Sequence, residues 1–157
     1  MDSKGNAMNF YETEILDFIE LQNLGKDIDI EVDASKWVRL VSERFPFTGS
    51  RIAWDRVPNS VVAHLGDGEG EVEFFMNKFR TVVQENSLVG CVVHVGDSLT
   101  DFSIAAELRV MEVVLPVMLE VPQHHYLVDR FGKWCMSFSM EGDFGFGFSA
   151  NLRTELG

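Results

Sequence analysis

The sequence predicts one α+β domain, in which N-terminal and central helices pack on a mostly antiparallel sheet ending in a C-terminal three-strand meander. Three observations support this. A chain of 157 residues fits one domain and can bury a core without staples. Val72, Phe75, Met76, Phe79, Val82 and Val83 recur at helical spacing. The last third breaks into the short segments HHYLVD, KWCMSFSM and FGFGFSA, rich in aromatic and β-branched residues and separated by glycine-bearing turns. No repeat, low-complexity tract or linker divides residues 1–157, so they read as a single unit.

In chain order, residues 1–7 read as a leader that is disordered or was added ahead of a native start at Met8. Phe10, Ile15, Phe18 and Ile19 mark a first helix running from Asn9 to Leu24, with Gly25 at its C-cap. DIDIEVD alternates Ile28, Ile30 and Val32 with acids, the period of a half-buried or edge strand. Asp33 or Ser35 can cap a second helix that turns Trp37, Val38, Leu40 and Val41 inward and stops before Pro46. Thr48 to Gly66 reads as an irregular connection with one short strand. GDGEGEVE then places glycines and acids at the start of the central helix, where negative charge suits the helix dipole.

Leu88 to Val95 is a mostly apolar strand, and Ser98 is placed to cap a helix continuing to about Leu108. RVMEVVLPVMLEVPQ carries β-branched residues but helical Met and Leu spacing, and it is read as a helix ending before Pro122 and kinked by Pro116. In the meander, Trp134, Met136, Phe138 and Met140 share one face, and Phe144, Phe146 and Phe148 share another. Gly145 and Gly147 lie opposite those phenylalanines and leave room for close approach.

The net charge is −12, with 25 carboxylates against 13 Lys and Arg. Direct grip on nucleic acid is disfavoured, because counterion release needs a basic surface. A cationic protein partner suits the charge better. The N-terminus lacks the n-region and h-region of a secretory signal, and no apolar run reaches membrane-spanning length, so a cytoplasmic location without membrane contact is expected. Cys91 and Cys135 sit in separate apolar runs and read as reduced, buried thiols.

Gly96-Asp97-Ser98 with Asp101, following CVVHV, has the look of a magnesium-holding turn at the end of a strand in haloacid-dehalogenase phosphohydrolases. The companion signal is missing: Asp27-Ile28-Asp29 follows NLGK rather than a buried strand. The alternative reading is an Asp and Ser that end a strand and cap a helix. His124 and His125 are neighbours on a strand and point to opposite faces, while His64 and His94 stand alone, so no metal or other cofactor is expected. No nucleophile elbow or phosphate-binding loop is present, and an apolar strand would raise the Cys135 pKa rather than activate it. Catalytic residues are therefore not assigned.

PQHHYLVD and KWCMSFSMEGDFGFGFS, led in by VVHVGDSLTDFSIAAEL, resemble the immunity proteins that accompany toxins of contact-dependent growth inhibition and other polymorphic-toxin systems. The resemblance covers residues 88–150. It implies a small acidic bacterial protein that binds its cognate toxin domain, often a nuclease, and occludes the active site. Three carboxylate groups can serve this: first Asp67, Glu69, Glu71 and Glu73; second Asp27, Asp29, Glu31 and Asp33, read as one strand face; third Glu141 and Asp143. The other readings are a solvated acidic face, an acidic adaptor or binding module, and a magnesium-dependent phosphohydrolase using Asp97 and Asp101. Oligomeric state is left open.

Overall fold

The computed structural model describes residues 8–65 and 70–149. They form α1 (Phe10–Leu21), β1 (Asp29–Glu31), α2 (Ser35–Arg44), β2 (Phe47–Thr48), β3 (Arg51–Ile52), β4 (Val61–His64), α3 (Glu71–Glu85), β5 (Cys91–Gly96), β6 (Ser103–Glu107), α4 (Leu108–Leu119), β7 (His125–Asp129), β8 (Trp134–Phe138) and β9 (Asp143–Phe148). Seven strands make one sheet in the order β1-β6-β5-β7-β8-β9-β4, and every pairing is antiparallel. β2 and β3 form a separate hairpin.

Strand alternation gives the sheet two buried faces. On one, Val92, Ile104, Leu127, Met136, Phe138, Phe144 and Phe146 meet Ile15, Phe79, Met111, Leu115 and Met118 of α1, α3 and α4. On the other, Val93, Val95, Tyr126, Val128 and Cys135 meet Val41 and Phe45 of the α2 segment and Ile52 of the hairpin. The α+β class and the meander are as the sequence predicts.

Several local expectations are corrected. The segment after Ser98 is no helix: Ser103 to Glu107 pair with β5 on one side and β1 on the other, because filling the sheet outweighs the helix preference of Ala-Ala-Glu-Leu. The helix begins at Leu108 instead and continues through Pro116. β5 starts after Gly90, whose φ of +103° ends the preceding turn. The first helix stops at Leu21, with Gln22 as C-cap and Asn23 in the left-handed region, so Gly25 opens a 3₁₀ turn. Phe10 is exposed rather than inward, and so is Val38. The connection after Pro46 is more ordered than expected, with the hairpin, a 3₁₀ turn at Trp54–Arg56 and β4.

The register also merges two faces the sequence reading separates. Trp134, Met136 and Phe138 stand opposite Phe148, Phe146 and Phe144, so both rows point to the α3 and α4 side, while Met140 lies beyond the strand and is exposed. Gly145 and Gly147 face the other way and receive Trp54. A β-carbon on Gly145 would lie 1.9 Å from Trp54 Nε1, so only glycine admits the indole there.

Candidate functional site

The Gly96–Asp101 segment closes a hairpin between β5 and β6. Gln123 plugs it. Its Oε1 accepts the amides of Ser98, Leu99 and Thr100 at 3.1, 2.6 and 3.3 Å, and its Nε2 donates to Thr100 Oγ1 at 3.0 Å. Gly96 is glycine because a β-carbon there would strike the Gln123 amide at 2.1 Å. Asp97 Oδ1 accepts the His124 amide at 3.0 Å, and buried Glu12 accepts the Asp101 amide at 2.8 Å while closing the Asn9 capping box of α1. The strand-to-helix turn that the phosphohydrolase reading needs is not formed, and the turn's amides are taken up by the protein's own side chains. Among the described residues, no group of three or more His, Cys, Asp or Glu is arranged to hold a metal ion.

The histidines are not isolated, which corrects the sequence reading of His64 and His94. His94 on β5 and His125 on β7 share a 2.9 Å hydrogen bond, and His125 Nε2 donates to Val121 O at 2.9 Å. Burial pushes His94 well below the usual imidazole range, helped by repulsion from His125. Burial likewise lowers His125 to about 4. Both rings are therefore neutral at pH 7 and act as structural cross-links between strands. His124, on the opposite face, accepts the Met140 amide at 3.1 Å. Cys91 and Cys135 are free thiols, and burial raises the pKa of each, Cys135 strongly.

A cleft of about 370 Å³ with mixed chemistry lies where β4 and β9 meet the hairpin. Its walls include Trp54, Val62, Tyr126 and Phe144, with Arg51, His64 and Asp143 at the rim. Trp54 Nε1 donates to Ser137 Oγ at 2.9 Å, and the Tyr126 hydroxyl donates to Ser50 O at 2.8 Å, so the hairpin is bolted to the sheet. Arg51 Nη2 reaches Asp143 Oδ2 at 2.7 Å and Nη1 lies 3.7 Å from Glu141, while His64 Nδ1 meets Asp143 Oδ1 at 2.6 Å. Burial resists ionisation of Asp143, but the bonds from Arg51 and His64 outweigh it and hold its pKa below the ordinary value. Both Asp143 oxygens are thus engaged within the chain.

The three carboxylate groups fare differently. Asp67 and Glu69 lie outside the described residues. Glu71 and Glu73 open α3, and a β-carbon on Gly142 would stand 3.7 Å from Glu71 Oε2, so the start of α3 abuts the Glu141–Asp143 turn. Burial, then repulsion from Glu141, raises the Glu71 pKa. Glu71 of the first group therefore meets the third group at one end of the sheet. The second does not form one strand face. Asp27 belongs to a 3₁₀ turn and Asp33 follows the strand, leaving Asp29 and Glu31 on β1. Glu31 accepts the Trp37 indole N–H and pairs with Lys36 at 3.2 Å, which lowers its pKa; Asp33 accepts the Ser35 amide at 3.0 Å with the same effect. These two carboxylates fasten α2 to β1. Five strand spacings separate β1 from β9, roughly 24 Å.

The partners of Arg51 and His64 carry no local sequence signal, because the hairpin and the β4–β9 pairing alone bring them to Asp143. No protein-family model matches the chain, and no curated protein is significantly similar to it.

Proposed function

We propose that the protein is an immunity-type inhibitor: it binds a cationic toxin domain, in the nuclease class, and covers its working surface with the acidic end of the sheet. Support comes chiefly from one observation, that Glu71 of α3 and Glu141 of the β8–β9 turn, distant in sequence, are held side by side. Crowded like charges destabilise the free protein, and a cationic partner relieves them. The net charge of −12 extends the attraction over the encounter. No described helix is long and apolar enough to cross a membrane. The protein makes and breaks no covalent bond in this reading.

Mixing the purified chain with the basic toxin domain encoded beside it tests the proposal. A stoichiometric complex whose formation slows with added salt, with loss of the toxin's activity, is the expected result. Failure to bind any such domain, or turnover of a phosphoester by the chain itself, overturns it.

A further inference from the structure

The two strands that end the sheet leave one edge each, and among the described residues nothing pairs with that of β4. Leu65 N–H donates to Gly142 O at 3.0 Å, and the register pairs Ala63 with Phe144 and Val61 with Phe146. Because antiparallel residues alternate, Val61 and Ala63 turn their backbone groups toward β9, whereas Val62 and His64 turn theirs outward. No described residue pairs with those outward groups. The strand carries no lysine, proline or bulge of the kind that protects edges, and Val61 and Val62 are 45% and 63% exposed. The side chains of Val62 and His64 also line the cleft beside Trp54. A strand laid on this edge would place alternate side chains over that cleft, whose volume of about 370 Å³ is at the lower end of ligand pockets.

We propose that the outer edge of β4 is a strand-addition site that takes an extended, positively charged segment of the partner protein, with an apolar side chain of that segment seated against Val62 and Trp54. The charge of the surroundings selects this occupant. Glu71 stands beside Gly142 and Leu65 at the end of β4, and Glu141 lies at the same turn, while Arg51 is shared between Asp143 and Glu141 and His64 is committed to Asp143. A second copy would bring two such acidic ends, each on a chain of charge −12, against one another. Backbone pairing would supply affinity and the cleft selectivity. The inference rests on the reading of the protein as a binder of a cationic partner and names the surface that does it.

The test uses the full chain and a short fluorescein-labelled peptide of alternating Val and Lys, compared with a Val and Glu counterpart, by fluorescence anisotropy. Binding of the Lys peptide alone is expected. Val62→Pro should weaken it about tenfold, since it removes an outward N–H and leaves the β9 ladder intact, whereas Val62→Thr should retain it. In the unsubstituted chain, hydrogen exchange should show the Val62 and His64 amides gaining protection on peptide addition, which keeps the test open if the proline variant does not fold. No binding up to about 1 mM peptide, equal loss in the Pro and Thr variants, or unchanged exchange at Val62 and His64 overturns the proposal. So does self-association of the chain alone that Val62→Pro abolishes, which would assign the edge to a second copy. If the neighbouring toxin domain binds with full affinity to Val62→Pro, the edge is wrong and the inhibitor reading survives; if only the peptide binds, the reverse holds.

Discussion

At one edge of the sheet, β1 is three residues long, places Asp29 and Glu31 on either side of Ile30, and is clasped by α2 through Trp37 and Lys36. At the other, β4 presents Val61 and Val62 to solvent with its outer backbone groups unpaired among the described residues. Acids occur near both, yet they do different work. Beside β1 the carboxylates of Glu31 and Asp33 are consumed in local bonds that hold the chain's own helix. Beside β4, Glu71 crowds Glu141. Glu31 and Asp33 are thus committed to holding α2, whereas Glu71 and Glu141 repel each other, and counting carboxylates along the chain does not reveal that difference.

The largest effect is expected at Gly145, the residue that lets Trp54 pack against β9 beside the β4 edge. Gly145→Val should cost at least about 3 kcal/mol by urea unfolding, since the indole has no room to yield without losing its Ser137 bond. Loss of under about 1 kcal/mol would mean the hairpin does not brace this edge.

Acid should loosen the middle of the sheet, between the two edges. His125 titrates at about 4 in the folded protein against 6.5 ordinarily, so the unfolded chain binds the proton first as pH falls. Stability is therefore full above pH 6.5 and declines toward pH 4, by about 3 kcal/mol from this group, with His94 acting in the same direction. Urea midpoints at pH 7.5 and pH 5 measure it. A flat profile over that interval would contradict the buried neutral pair.

Val62→Lys should leave stability within about 0.5 kcal/mol and weaken binding of the Val and Lys peptide, because it sets a positive charge on the exposed edge without touching the core. The smallest effect is expected at the β1 edge: Ile30→Lys should change neither solubility nor partner binding, as that edge is already charged. Fluorescence anisotropy with the labelled Lys peptide, run on the two variants in parallel, measures both effects.

Much of the architecture was legible because it is periodic. The α3 face repeats at helical spacing, the meander alternates at two, and the glycines of β9 announced a close approach that Trp54 makes. Ser103 to Glu107 misled because Ala, Glu and Leu favour helices locally, while the strand's place between β5 and β1 is set by partners far away in sequence. The site was less legible for the same reason. Glu71 and Glu141 are each visible as acids in glycine-rich turns, but their adjacency depends on β4 pairing with β9 and on α3 docking against the meander. Gln123 gave no signal at all, since a lone glutamine before a strand says nothing of the amides it will bind.

In the proposed complex the α3 and β8–β9 acids, and not the β1 acids, meet the cationic partner. Stopped-flow association with the neighbour-encoded toxin domain should compare Glu71→Lys/Glu73→Lys/Glu141→Lys with Glu31→Gln/Asp33→Asn, which remove the β1-side charge while keeping side chains that can still hydrogen-bond. The first set should slow association by about tenfold or more and flatten its salt dependence, with the second nearly unchanged. Equal slowing by both sets, or slowing by the β1 set alone, would contradict the claim.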